Sequence, residues 1–172
     1  MIRIAIVGPE STGKSTLAEQ LAKKYKTVFV PEAARDYISK LNRKYTLDDI
    51  NEISRIQLQM EDDLAGSANK ILFCDTNLLV TKIWANYVFH AGTEFIEENL
   101  RVRKYDLHLL THTDIPWTPD PQREHPLHRE ELFQIYRNQL DAMNVPYAMI
   151  SGIGATRFQN ALAAVEKIIS SC

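Results

Sequence analysis

The stretch IAIVGPESTGKSTL at residues 4–17 constrains the fold of this chain more than any other part of its sequence. Its middle, GPESTGKS at residues 8–15, matches the pattern G-x-x-x-x-G-K-[ST] in full. The match lies between an apolar run typical of a buried strand and a helix-like run, which is the context that a phosphate-binding loop requires. Glycine allows the tight turn and the close backbone approach that such a loop needs. This context favours a phosphate-binding loop over an incidental glycine-rich turn.

The same loop predicts the cofactors. Its backbone amides and the following helix N-terminus are expected to bind phosphate oxygens. Lys14 is expected to reach the β- and γ-phosphates, and the Ser15 hydroxyl to coordinate Mg²⁺. We therefore predict ATP and Mg²⁺ as cofactors. The predicted nucleotide contacts in this loop are Gly8, Glu10, Ser11, Thr12, Gly13, Lys14, Ser15 and Thr16.

Apolar runs at residues 2–7, 27–31, 70–75, 105–111 and 145–150 predict five strands, and helical patterns separate them. Strands that are apolar throughout and alternate with helices are typical of a parallel sheet covered on both faces. The predicted fold class is therefore α/β, a three-layer P-loop NTPase fold with a five-stranded parallel sheet and a lid. We expect the whole chain to form one domain.

Local signals place several helix ends. The first helix is expected over residues 14–25. Thr46 with Asp49 three residues later predicts a capping box at the start of a later helix. The helix containing LLVTKIWANYVF is expected to end at Gly92, since glycine is favoured just beyond a helix C-terminus.

Composition excludes several classes of protein. The chain has 172 residues, 45% of them hydrophobic, and a formal net charge of −2, so we expect neither nucleic-acid nor membrane binding. Cys74 lies in an apolar run and Cys172 ends the chain, which predicts neither a disulfide framework nor a metal site. The simplest location is a reducing cytoplasm. No oligomerisation surface is predicted.

The rest of the site should lie at the carboxyl ends of the strands, where parallel sheets bind ligands. The second strand is followed by Glu32, Arg35 and Asp36, and the third ends in Asp75. Asp75 is expected to bind Mg²⁺ or to orient the acceptor hydroxyl, with a helix N-cap as the alternative. Glu32 and Asp36 are alternatively acids of a first helical turn that interact with the helix dipole. Arg35 is predicted either to bind a substrate phosphate or to pair with a nearby acid.

The polar, proline-rich segment at about 112–127 is predicted to be a lid. Lids exclude water and bring a guanidinium to the transferred phosphate, which is the expected role of Arg123. Trp117 is expected to stack on a base or to pack the loop onto the body. His125 and His128 are expected to be surface residues. After the last strand, SGIGATRF suggests either an adenine contact that includes Arg157 or a plain turn.

Several motifs together resemble one family. They are GPESTGKSTL, PEAARDY, CDTNLLVT, YDLHLLTHTDIPW and the arginine at 123, and they are similar to the ribosylnicotinamide kinase domain of NadR-type NAD biosynthesis proteins. The chain lacks the N-K-x-D motif typical of GTPases and is short for an ATPase motor. The sequence therefore favours a nucleoside or nucleotide kinase.

The resemblance implies transfer of phosphate from ATP, with Mg²⁺, to the 5′-hydroxyl of nicotinamide riboside. It implies that Lys14, Asp75, Glu32 and Arg123 act in catalysis. The implied substrate contacts are Glu32, Arg35, Asp36, Tyr37, Asn77 and Trp117, and the implied metal ligands are Ser15 and Asp75.

The resemblance covers the kinase domain, so we expect neither the adenylyltransferase domain with its H-x-G-H motif nor the DNA-binding helix-turn-helix of full-length family members. The lid of this chain lacks a glycine before the arginine. The sequence leaves two alternatives open. The first is a kinase for another nucleoside or nucleotide, and the second is a non-catalytic ATP-binding regulatory module.

Overall fold

The computed structural model describes residues 1–171 and contains a parallel sheet between two layers of helices. The strands are β1 (Ile2–Val7), β2 (Phe29–Val30), β3 (Ile71–Asp75), β4 (Leu107–Thr111) and β5 (Tyr147–Ile150). The helices are α1 (Lys14–Tyr25), α2 (Ala33–Ser39), α3 (Leu47–Ala65), α4 (Leu78–Phe89), α5 (Glu94–Val102), α6 (Arg129–Met143) and α7 (Ala155–Ile169). Cys172, with its predicted lack of a disulfide or metal role, lies outside the described residues.

The strand order is β2-β3-β1-β4-β5, and every pairing is parallel. The predicted α/β fold with a five-stranded parallel sheet is therefore confirmed. β1 is the central strand, so the loop that follows it emerges from the middle of the row formed by the carboxyl ends of the strands. This is where the strand order reverses, and ligands of open parallel sheets bind at such a point.

Both faces of the sheet are apolar, because alternate residues of each strand point to opposite sides. In β1, Ala5 and Val7 pack in the core formed with α3, α4, α5 and α6. Ile4 and Ile6 pack in the core formed with α1 and α7. These two cores explain why the strands read as continuous hydrophobic runs.

Several predicted boundaries were wrong: β4 and β5, for example, each begin two residues later than predicted, at Leu107 and Tyr147. β2 contains only Phe29 and Val30, because the hydroxyl of Thr27, not its backbone, donates to the carbonyl of Ile71 at 2.7 Å. α4 ends at Phe89 rather than at Gly92, because His90 itself adopts the left-handed conformation, at φ 52°, and donates its N–H to the Asn86 carbonyl.

Other local predictions were right. α1 spans Lys14–Tyr25 as expected, and the capping box between Thr46 and Asp49 is present at the start of α3. Residues 112–128 contain no helix or strand and form the expected long segment before α6. None of the helices in residues 1–171 combines the length and the apolar character needed to cross a membrane.

Candidate active site

The loop between β1 and α1 has the backbone that its glycines predict. Gly8 has a φ of 137°, and a side chain there would place a Cβ 2.5 Å from the hydroxyl of Thr111 at the end of β4. Gly13 precedes α1 in the left-handed conformation, at φ 77°. The buried hydroxyls of Thr12 and Thr111 lie 2.7 Å apart and join the loop to β4. The loop therefore forms an open concave surface, and its contacts with β4 hold it against the sheet.

Lys14, Ser15 and Asp75 meet at this loop. The ammonium of Lys14 donates to the carbonyl of Pro9 at 2.8 Å, so the side chain folds back over the loop. Asp75 is 2% exposed, and its burial together with the charge of Glu32 raises the pKa of its carboxyl to about 6. The Ser15 hydroxyl and the charge of Lys14 act in the opposite direction. A carboxylate in such a place needs a cationic partner.

The same residues fit a magnesium ion. One oxygen of Asp75, Oδ1, is buried without a hydrogen-bond partner, and the Ser15 hydroxyl lies beside this carboxyl. Mg²⁺ is commonly held by one or two protein oxygens together with phosphate oxygens and water. Within residues 1–171 no three His, Cys, Asp or Glu side chains form a metal cluster. The donor set therefore suits a metal that is bound jointly with nucleotide phosphates. Asp75 is not the N-cap of α4, because Asn77 has that position.

The residues after β2 separate into two groups. Glu32 and Arg35 line the same cavity as the phosphate loop. Arg35 also pairs at 2.9 Å with Asp120 of the lid segment, so it has the acidic partner that was one of its two predicted roles. Asp36 pairs on the surface with Lys40, and the Tyr37 hydroxyl donates to Asp49 at 2.9 Å. The structure thus brings the first two predicted substrate residues to the cavity and directs the other two elsewhere.

The lid segment, residues 112–128, lies against the phosphate loop. The backbone N–H of Thr118 donates to the Ser11 hydroxyl at 2.9 Å, and the guanidinium of Arg123 lies 3.5 Å from that hydroxyl. Arg123 lines the cavity, as expected for a lid arginine. The guanidiniums of Arg123 and Arg129 lie 6.0 and 5.9 Å from the centre of the Trp117 ring. Trp117 is therefore packed by arginines at the loop and does not line the cavity wall.

Arg157 and Asn77 are held by the protein itself. Arg157 is 4% exposed, and its guanidinium donates to the carbonyls of Thr12, His112 and Gly152 and to the carboxylate of Asp114. Little of its surface is left for a base to stack on. Asn77 caps α4 by accepting from the N–H of Leu79 at 3.1 Å and is itself buried.

The aromatic part of the cavity was not predicted from the sequence. A cavity of about 300 Å³ runs from the phosphate loop to side chains of α4, α6 and the lid segment. Its aromatic wall consists of Tyr45, Trp84, Tyr87, His125 and Tyr136. The indole N–H of Trp84 donates to the Tyr45 hydroxyl at 3.1 Å. The Tyr45 hydroxyl in turn donates to the carboxylate of Glu124 at 2.6 Å. The spacing of Val80, Ile83, Trp84 and Tyr87 along one helical face was the available signal, but it is equally typical of a core helix.

Comparisons with known proteins agree with this geometry. The family model described as AAA domain matches residues 3–157. The trifunctional NAD biosynthesis/regulator protein NadR of Escherichia coli is 26% identical over 86% of this chain and 37% of its own length. That of Salmonella typhimurium is 29% identical over 70% of this chain and 30% of its own length. The chain thus spans about a third of these relatives, and the predicted resemblance to NadR proteins is confirmed.

Solved structures have the same fold. A NadR protein in complex with NR superposes with a TM-score of 0.81 at 23% identity, over 98% of this chain and 50% of that one. The deoxyadenosine kinase of M. mycoides, with dCMP and dCDP, superposes with a TM-score of 0.66 at 15% identity, over 99% of this chain and 100% of that one. At these identities the likeness concerns the fold alone, and it agrees with the P-loop kinase architecture described above.

Proposed function

This chain belongs to the AAA domain family, and we propose that it transfers the γ-phosphate of ATP to the 5′-hydroxyl of nicotinamide riboside, giving nicotinamide mononucleotide. One observation carries the proposal. A single cavity joins the phosphate loop to an aromatic compartment beneath the lid segment, so a nucleotide and a flat nucleoside can meet there. The names of the relatives, NAD biosynthesis proteins, favour the pyridine riboside among possible acceptors.

In this proposal the chain acts mainly by positioning and by neutralising charge. The amides of residues 8–15 and the ammonium of Lys14 bind the phosphates, and Arg123 approaches the transferred group from the lid. Preorganised donors of this kind stabilise the charge of a phosphoryl-transfer transition state. When bound, Mg²⁺ offsets further phosphate charge, and Ser15 and Asp75 are the residues that would hold it.

The two carboxylates receive different roles. Asp75 is buried beside Ser15 and is assigned to the metal. Glu32 lines the cavity and is partly exposed, so it is free to accept a hydrogen bond from the acceptor hydroxyl. A carboxylate in that position orients the hydroxyl and takes its proton as the bond to phosphorus forms.

An acceptor panel tests the proposal. The purified chain would be given ATP and Mg²⁺ with nicotinamide riboside, deoxyadenosine, thymidine or thymidine monophosphate, and both ADP and the phosphorylated product would be measured. We expect nicotinamide riboside to give the largest kcat/KM. Lys14→Ala serves as the inactive control, with at least a hundredfold lower turnover and an unchanged fold by circular dichroism.

Each other outcome identifies a different function. Turnover with deoxyadenosine or a thymidine compound alone would assign the chain to another acceptor, as in the structurally similar deoxyadenosine and thymidylate kinases. Tight ATP binding without turnover on any acceptor would favour a regulatory ATP-binding module. Either result would overturn nicotinamide riboside as the substrate.

A further inference from the structure

We infer that Asp120 is a positioning residue for phosphoryl transfer, because its one carboxylate joins the lid arginine, Arg123, to Arg35 of α2. The inference rests on the phosphoryl transfer proposed above. Arg35 and Arg123 both line the cavity, whereas Asp120 does not. Asp120 therefore acts through the two arginines and not through a contact of its own with a ligand.

One oxygen of Asp120 orders the turn that carries Arg123. The sequence DPQR at residues 120–123 has the pattern of a β-turn, with aspartate first and proline second. The N–H of Arg123 donates to the Asp120 carbonyl at 3.0 Å, which closes this turn. The N–H of Gln122 donates to Oδ1 of Asp120 at 2.9 Å, the contact by which an aspartate stabilises a turn that it begins. The backbone position of Arg123 thus depends on Asp120.

The other oxygen of Asp120 holds Arg35. Nη1 of Arg35 donates to Oδ2 of Asp120 at 2.9 Å. The side-chain amide of Gln122, in the middle of the turn, donates to the Arg35 carbonyl at 3.1 Å. The hydrogen bond from the Gln122 N–H and that from Arg35 hold the pKa of the Asp120 carboxyl below its usual range. The turn therefore bonds both the guanidinium and the backbone of Arg35, and its carboxylate is charged.

These contacts make the placement of Arg123 depend on the docking of the turn. The guanidinium of Arg123 donates to the Thr118 carbonyl and lies 3.5 Å from the Ser11 hydroxyl of the phosphate loop. With the turn docked on Arg35, this guanidinium is already beside the loop, and a preplaced donor stabilises a transition state without further reorganisation. An undocked turn would take Arg123 away from the phosphates. We therefore expect the docked fraction to set kcat.

The exposure of the Arg35–Asp120 pair separates this role from a structural one. The Arg35 side chain is 50% exposed and that of Asp120 is 21% exposed. Exposed ion pairs of this kind contribute little to folding stability. A positioning role therefore predicts a loss of activity without a matching loss of stability.

The test compares Asp120→Ala and Asp120→Asn with wild type, using the acceptor that the wild type phosphorylates fastest. Alanine loses both side-chain contacts, and we expect kcat to fall about tenfold with KM for ATP little changed, because the phosphate loop keeps its own residues. Asparagine still accepts from the Gln122 N–H, so its loss should be smaller, about threefold. The thermal midpoint of both variants should stay close to that of wild type.

Double variants show whether Asp120 acts through the two arginines. Asp120→Ala should have little further effect on kcat in an Arg123→Met or an Arg35→Met background, because a group that it positions is already absent. Lys40→Met is the matched control and should leave kcat unchanged. Lys40 pairs at 2.5 Å with Asp36, an exposed contact within the same helical region that does not involve the lid segment.

Three results would overturn this role while leaving the kinase reaction intact. They are an unchanged kcat in Asp120→Ala, losses that add in the double variants, and a fall in thermal midpoint that accounts for the loss of kcat. A wild type that phosphorylates no acceptor would overturn the proposed function and this inference with it. Asp120→Asn carries the test if Asp120→Ala does not fold.

Discussion

Glu10 of the phosphate loop holds the backbone of His125 in the lid segment through a hydrogen bond of 3.2 Å. The same carboxylate oxygen accepts from the N–H of Glu124 at 3.0 Å. The sequence predicts Glu10 to contact the nucleotide, and in the structure Glu10 lines the cavity while its carboxylate also accepts from the lid segment. The loop that is expected to bind phosphate therefore also fixes the segment that covers the cavity.

Glu10→Ala should loosen this connection. Without the carboxylate, the N–H groups of Glu124 and His125 lose their acceptor, and we expect kcat to fall about tenfold, since lid closure excludes water and positions Arg123. The ratio of ADP formed to acceptor phosphorylated should rise, because water gains access to the phosphate. Glu10→Gln, which keeps an acceptor oxygen, is the control and should stay closer to wild type. An unchanged ratio in Glu10→Ala would contradict the assignment.

Asp75→Asn should separate activity from stability. We expect turnover to fall by a hundredfold or more, because an amide is a poor ligand for Mg²⁺ in place of a carboxylate. Thermal stability should not decrease, since burial already disfavours the ionised form of this carboxyl. Turnover and the thermal midpoint would be measured over a range of Mg²⁺ concentrations. A loss of stability equal to that of a core mutation would mean that Asp75 is mainly structural.

Arg157→Met should destabilise the protein. The guanidinium donates to the carbonyl of Thr12 in the phosphate loop and to that of His112, where the lid segment begins. Methionine at this position would leave both carbonyls without these donors. We expect the free energy of unfolding to fall by about 2–4 kcal/mol, with weaker ATP binding as a consequence. Denaturant melts and ATP titrations measure the two effects. Weaker ATP binding at unchanged stability would instead support the predicted contact between Arg157 and adenine.

Glu61 should make stability depend on pH. It is fully buried in α3, accepts from the Tyr105 hydroxyl at 2.7 Å, and its burial raises the pKa of its carboxyl to about 7. Because the folded protein disfavours the ionised form, the contribution of Glu61 to stability should be fully present below pH 4.5, fall as the pH rises to about 7, and then level off. A shift from 4.5 to about 7 corresponds to about 3 kcal/mol.

Glu61→Gln removes the ionisation and keeps the acceptor for Tyr105. The variant should therefore be about 2–3 kcal/mol more stable than wild type at pH 8 and similar to it at pH 5, as measured by denaturant melts. Asp62→Asn is the contrasting control, since hydrogen bonding to Arg103 lowers the pKa of Asp62 and its contribution is lost as the pH falls. The same difference between Glu61→Gln and wild type at both pH values would refute the assignment.

Much of the fold could be predicted because its signals are local. The spacing of Gly8, Gly13 and Lys14 after an apolar run is encoded in adjacent residues, and the start of α3 is encoded in Thr46 and Asp49. Predicted element boundaries were wrong where contacts with an adjacent strand set the end of the element. The short β2 depends on how Thr27 meets the adjacent strand, and this cannot be read from residues near Thr27 in the sequence.

The predicted site residues fall into two groups: some lie together at the cavity, and others point away from it. Strand order brings the segments after β1, β2 and β3 to one edge, so the expected proximity of Lys14, Glu32 and Asp75 follows from the fold class. The neighbouring residues Asp36 and Tyr37 turn away, because the helical periodicity of α2 directs successive side chains to different sides.

Local signals in the sequence were enough to predict the phosphate loop, the parallel sheet and the long segment before α6, since each depends on backbone preferences and apolar periodicity within short stretches of chain. The aromatic wall of the cavity, in contrast, depends on tertiary packing. Tyr45, Trp84, His125 and Tyr136 come from four separate segments, and each alone is compatible with core packing or exposure. Their convergence depends on how α4, α6 and the lid segment pack on the sheet. Long-range packing of this kind is specified by the whole core and not by any local pattern.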